Sequence, residues 1–166
     1  MNKVLANIKL ETNSMRVRAV RGMVKCSVLV RRSTELDTPT TPVRIGNLRQ
    51  SYFTSTLLGR PYGNDAMFEK DGKSPTASEM TTKHQFEMAR ADAETKDKIH
   101  LKTIIGFSAI YAHRIHELDG DVNWNRPGSG AQYFRRSFNE NEAKMREIIR
   151  KEIHIQQKGI GFEFNV

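Results

Sequence analysis

The chain contains a single cysteine, Cys26. A lone thiol closes no intrachain disulfide and builds no multi-cysteine zinc site, so disulfide scaffolds and zinc ribbons are excluded. Its apolar helical neighbours point to a buried, inert thiol, and this cysteine usage suits a reducing cytoplasm. No apolar run approaches the roughly 20 residues that a membrane-spanning helix needs. The stretch Met1-Asn2-Lys3-Val4-Leu5-Ala6 has neither the hydrophobic core nor the cleavage site of a secretory leader, and none is expected. Internal repeats and low-complexity tracts are missing too. What remains is a polar-leaning, soluble chain of 166 residues, 37% hydrophobic with mean hydropathy −0.60. That length suits one domain with a real core.

Charge is plentiful and uneven. The net charge is +8, but residues 1–58 hold 10 basic and 3 acidic side chains, residues 59–98 hold 7 and 8, and residues 99–166 hold 10 and 8. An excess confined to the N-terminal third suggests an anionic neighbour, either nucleic acid or an acidic protein surface.

Hydrophobic periodicity outlines the elements. Val4, Ala6, Ile8 and Leu10 alternate with Leu5, Asn7 and Lys9 as in a short strand, and Thr12-Asn13-Ser14 offers helix caps. From Met15 to about Thr34 the period is helical. Ala19, Val20, Met23, Val24, Cys26, Ser27 and Val30 share one side, and Arg18, Arg21, Lys25 and Arg32 share the other. Those four cations are either a solvated helix face or a docking face for phosphate or carboxylate. Pro39 and Pro42 stop the helix.

Leu48–Leu58 reads as a strand. Residues 60–97, with a Thr76/Glu79 capping box and a thin apolar stripe, read as an inserted helical excursion, exposed or folded onto a partner. Ile99–Phe107 is the strongest strand, Ala109–Leu118 a short helix or turn, and 119–131 a loop. Ser137 and Glu140 suggest a capping box for a helix running to about Gln157. Residues 158–166 form a tail in which Ile160, Phe162 and Phe164 alternate, suited to pairing with a neighbouring subunit. The sum is a single α+β domain: a small, mainly antiparallel sheet with a long N-terminal helix and a C-terminal helix on one face.

Catalytic signatures do not assemble. His113-x-x-His116-Glu117 has two imidazoles and a carboxylate, but not in a zincin order, and a third strong ligand is wanting. No Gly-x-Ser-x-Gly elbow or Walker motif occurs. Asp119-Gly120-Asp121 begins like a calcium loop, but Gly130 stands where the twelfth-position Glu belongs. Trp124, in a Gly/Pro/Asn-rich loop, is either tucked under its own domain or offered to a partner. No metal or other cofactor is expected.

Three segments remain: Thr41-Pro42-Val43-Arg44-Ile45-Gly46-Asn47-Leu48-Arg49-Gln50-Ser51; Tyr111-Ala112-His113-Arg114-Ile115-His116-Glu117; and Gly130-Ala131-Gln132-Tyr133-Phe134-Arg135-Arg136-Ser137-Phe138. In that order and spacing they resemble the tail-completion or neck proteins of long-tailed bacteriophages, a family also described as minor capsid or tail-component proteins. Its members have a long N-terminal helix, a Thr-Pro-Val-x-Thr-Gly-x-Leu-x-x-Ser loop, a Tyr-Ala-x-x-(Val/Ile)-(His/Glu)-Glu element and a Phe-led final helix. The resemblance spans roughly residues 15–58 and 99–157, with 60–97 as an insertion. Arg44, Ile45 and Leu118-Asp119-Gly120 depart from the usual pattern.

The resemblance implies a non-enzymatic virion part, assembled in the host cytoplasm as a ring, commonly sixfold, at the head–tail junction. Its partners would be copies of itself, other connector and tail proteins, and packaged DNA, with no membrane. Pro42, Gly46, Leu48, Tyr111, His116, Glu117, Trp124, Phe134, Phe162 and Phe164 would serve subunit or partner contacts, and the basic helix face an anionic partner. A basic nucleic-acid-binding module and a small metallo-hydrolase on His113, His116 and Glu117 are the alternatives. Salt-steep DNA binding would favour the first, and stoichiometric bound metal the second.

Overall fold

Helix α1, Asn2–Leu36, is the axis of the molecule: 35 residues long and, in its C-terminal half, covered on two sides. The computed structural model describes residues 2–44, 46–69, 76–96, 100–118 and 123–154. The expected strand at Val4–Leu10 is helix instead. Alternation over so short a run is weaker evidence than the helical stripe that Val4, Ile8 and Met15 form with Ala19. Thr12 is interior rather than a cap, its hydroxyl donating to Ile8 O at 2.8 Å.

Among the described residues three strands form an antiparallel sheet, the first in sequence lying between the other two. The long strand expected from Leu48 divides in two: a helical turn α2, Asn47–Gln50, and then β1, Tyr52–Thr56. The turn Leu57-Leu58 leads into β2, Gly59–Tyr62, with a register irregularity between Thr54 and Thr56. Strand β3, Thr103–Phe107, pairs Tyr52 with Phe107 and Thr56 with Thr103. It is shorter than the expected Ile99–Phe107, and Ile99 lies outside the described residues.

Every residue of β1 is buried because helices cover both its faces. On one side α1 packs, and the Tyr52 hydroxyl donates to Ser27 O at 2.7 Å. On the other lies α3, Ala77–Thr95. Phe53 packs with Met88 and Ala91 there, and the Ser55 hydroxyl donates to Asp92 at 2.5 Å.

The described part of residues 60–97 therefore folds onto its own sheet. They supply most of β2 and the helix that closes the second face. Their stripe is Met80, His84, Met88, Ala91 and Thr95, with Phe86 left exposed. The Thr76/Glu79 capping box is present.

A short helix α4, Ala112–His116, leads to the loop before α5, Tyr133–His154. Helix α5 begins one turn earlier than the Ser137/Glu140 pattern suggests. Ser137 is consequently an interior helical residue, fully buried, and Glu140 pairs with Arg136. Helix α5 runs antiparallel along α1: Ile149 lies against Gly22, and Asn141 donates to the Ser33 hydroxyl at 3.2 Å. The fold is α+β, with the two terminal helices together on one side of a small antiparallel sheet. Among the described residues no helix is long and apolar enough to cross a membrane.

Candidate functional site

The loop after α1, helix α4 and the start of α5 meet at one end of the sheet. The chain leaving α1 folds straight back on it: Thr41 donates to Thr34 O through both its amide (2.7 Å) and its hydroxyl (2.9 Å). Thr40 then pairs with Ser129 in an isolated parallel bridge. Its amide donates to Gly128 O at 2.7 Å, and Gly130 N donates to Thr40 O at 3.2 Å. A Cβ on Gly130 would come within 2.8 Å of Pro39 Cβ, so only glycine lets these strands of loop close.

Pro42 is half-buried in this loop. Gly46 has φ of 90° and starts α2, the bend expected of Gly46-Asn47. The Asn47 side chain forms a two-point clamp on the Glu69 backbone, donating to its carbonyl at 2.8 Å and accepting from its amide at 2.9 Å. Leu48 enters the main core with Met80, Ala109, Ala112 and Tyr133. Tyr111 and Phe134 pack around this cluster, and the Phe107 ring stands edge-on to Tyr133 and Phe134, each at 5.5 Å. Burial pushes the Tyr133 phenol well above its ordinary pKa.

His116 and Glu117 lock α4 to α5. The Arg135 amide donates to His116 Nε2 at 3.2 Å, so Nε2 is the bare nitrogen. Nδ1 then carries the hydrogen and donates to Glu117 Oε1 at 2.6 Å. Glu117 also accepts from Arg135 at 3.1 Å and from Gln132 at 3.3 Å. The His116 hydrogen bond first, then the Arg135 charge and the Gln132 hydrogen bond, hold the Glu117 carboxyl below the usual carboxylate range. Gln132 N completes the lock on His116 O at 2.9 Å. His113 is exposed. Among the described residues no group of three or more His, Cys, Asp or Glu is placed to hold a metal ion.

Two residues that pattern reading did not single out complete this end. Arg136 reaches the open C-terminus of α1, donating to Ser33 O at 3.1 Å and Asp37 O at 3.0 Å. His84, 3% exposed, ties α3 to the exits of β2 and β3: its ring nitrogens lie 2.5 Å from Ser108 Oγ and 2.6 Å from Gly63 O. Neither carries a local sequence signal, because each acts on a partner distant in sequence.

The remaining candidates are dispersed. Trp124 is half-buried in its loop. Phe162 and Phe164 lie outside the described residues. The basic stripe of α1 is not a continuous free face. The Arg18 side chain is 11% exposed and tied to Glu11 and Ser14, each at 2.8 Å, and Lys25 pairs with Glu152 of α5. Arg21 and Arg32 are exposed. Cys26 is buried with its thiol pushed up by burial, as the sequence suggests. Compared with family models, curated proteins and solved structures, the chain matches none.

Proposed function

We propose that this chain is a structural subunit of a tailed-phage virion, assembling as a ring at the head–tail junction and performing no reaction. One observation carries the reading. The three segments that resemble the neck proteins, widely separated in the chain, close on one another: Leu48, Ala112 and Tyr133 share one core cluster, and His116 and Glu117 hold Arg135. His116 and Glu117 bond to the start of α5, as a brace that shapes a surface requires. Ring closure also needs different surfaces on one subunit to meet. The exposed helical arm at the N-terminus and the exposed hairpin tip at Leu57-Leu58 offer such surfaces.

On this reading the ring is a hexamer, its neighbours are other connector and tail proteins, and Arg21 and Arg32 face an acidic ring or packaged DNA. Native mass measurement of the purified chain should give a closed oligomer. Virions lacking the protein should yield filled heads beside complete, unattached tails. A monomer that turns over a substrate would end this reading, as would normal particles made without the protein.

A further inference from the structure

The first turns of α1 form an arm with no cover among the described residues. Residues 3–13 are all exposed, and Val4, Leu5, Ile8 and Met15 show 64%, 53%, 56% and 44% of their surface. A helical stretch this short, without packing, is marginal in water. Its apolar residues are not scattered. Val4, Ile8 and Met15 fall on one stripe at positions i, i+4 and i+11, with Leu5 at its edge.

A surface of matching shape lies on the body. Helices α1 and α5 and strand β3 enclose an open groove of about 290 Å³. Met23, Ile105, Phe138, Met145 and Ile149 line it, and each is only half-buried. The Thr103 hydroxyl beside them is already satisfied, donating to Met23 Sδ at 3.3 Å, so what stays open is mainly apolar. A groove of this size lies at the foot of the range for small-molecule pockets and suits a few side chains.

Along α5 the groove repeats the spacing of the arm. Phe138, Glu142, Met145 and Ile149 stand at i, i+4, i+7 and i+11, as do Val4, Ile8, Glu11 and Met15. Each line is about 16 Å long. Within one chain the two cannot meet, because α1 carries the stripe and one wall of the groove. Ile8 and Met23 are held about 22 Å apart along a single unbroken helix. Charge sets the direction. With the arm antiparallel to α5 and Val4 level with Ile149, Lys9 comes level with Lys144 and Glu11 with Glu142. With the arm parallel and Val4 level with Phe138, Lys9 falls within one residue of Glu142, and Glu11 within one of Arg146. Like charges set against each other suppress the first arrangement.

We propose that the groove between α1, β3 and α5 receives the arm of a second copy of this chain, lying parallel to α5 with Val4 and Ile8 seated in it. The inference rests on the ring reading above and supplies its contact. Stripe and groove are different surfaces, so a subunit whose arm is docked keeps its own groove open for the next, and the contact repeats around a closed ring.

Mixed chains test this in the full-length protein. Ile8→Cys chains mixed with Glu142→Cys chains, with Cys26→Ser in both, should on oxidation join into mixed pairs. They should do so at least about tenfold faster than Leu10→Cys chains, whose substituted position is on the opposite side of the arm. Faster joining of Ile8→Cys chains to one another would pair arm with arm and overturn the proposal, as would equal rates from positions 8 and 10. Independently, Val4→Gln with Ile8→Gln puts good helix formers at exposed positions and should raise the dissociation constant between copies at least about tenfold, read by sedimentation. An oligomer that this pair leaves unweakened would overturn the docking alone, whereas a parent chain that stays monomeric would overturn the docking and the ring together.

Discussion

Gly22 of α1 and Ile149 of α5 lie so close that a Cβ on Gly22 would stand 3.0 Å from the Ile149 Cα and 3.4 Å from Glu152. Glycine in a helix interior costs about 0.5–1 kcal/mol relative to alanine, so its presence here reflects the approach of the two backbones. The neighbour is backbone and cannot swing aside. Gly22→Val should therefore destabilise by about 1–3 kcal/mol despite removing a poor helix former. Urea unfolding reads this as a lower midpoint at unchanged slope. An unmoved midpoint would mean that α5 is free to shift.

His84 is the polar centre beneath α3. Gly63 O can only accept, so His84 Nε2 bears hydrogen, and Nδ1 meets the Ser108 hydroxyl. His84→Leu keeps roughly the volume but takes away the short bonds to the Gly63 carbonyl and the Ser108 hydroxyl, leaving only the longer ones from Ala66 N (3.4 Å) and to Ser51 O (3.3 Å). A loss of about 2 kcal/mol is expected. Thermal unfolding checks it; a stability equal to the parent chain would show that water reaches these groups.

Arg136 closes the C-terminal turn of α1 across a separation of about a hundred residues. Arg136→Met keeps the packed stem and removes the donors to Ser33 O and Asp37 O. The expected cost is about 1–2 kcal/mol. Amide exchange near Asp37 and Thr41 should rise with it, and protection that stays put there would rule out the capping role.

Four carboxylates are held below their ordinary pKa, and Asp92 and Glu117 are the two that bind separate elements together. Asp92 is held low chiefly by its hydrogen bond from Arg60, with Nε at 2.6 Å, and Glu117 chiefly by His116. Both folded pKa values lie below the ordinary 3.8 and 4.5. Their contribution is therefore complete above those values and is lost as pH falls through the lowered ones. Tm should be level from neutral pH down to about 5 and drop below about 4. Asp92→Asn and Glu117→Gln should each make that acid limb shallower. Acid limbs matching the parent's in both variants would remove these groups as its source.

Helix α3 was legible through its capping box, because Thr76 and Glu79 act within one turn. The α1 face Ala19, Val20, Cys26, Ser27 and Val30 was legible because burial imposes a 3.6-residue period wherever a helix meets a core. Gly46 announced its turn through its own backbone freedom. Residues 4–10 misled because seven positions cannot separate a period of two from a helical stripe whose remainder lies farther along the chain. Ser137 misled because a capping pair inside a helix has the same spelling as one at its start. His84, Arg136 and the Asn47 clamp had no spelling at all.

The order of amino acids settled what local physics can settle: the class of fold, the two long helices at its ends, the core stripe of α1 and the lack of a second cysteine to pair with Cys26. Only the packed structure decided which sides of α1 are covered, that α3 closes the second face of the sheet, and that the loop after α1 meets α4 and the start of α5. Those outcomes depend on contacts between residues dozens of positions apart, and no short window of sequence contains both partners.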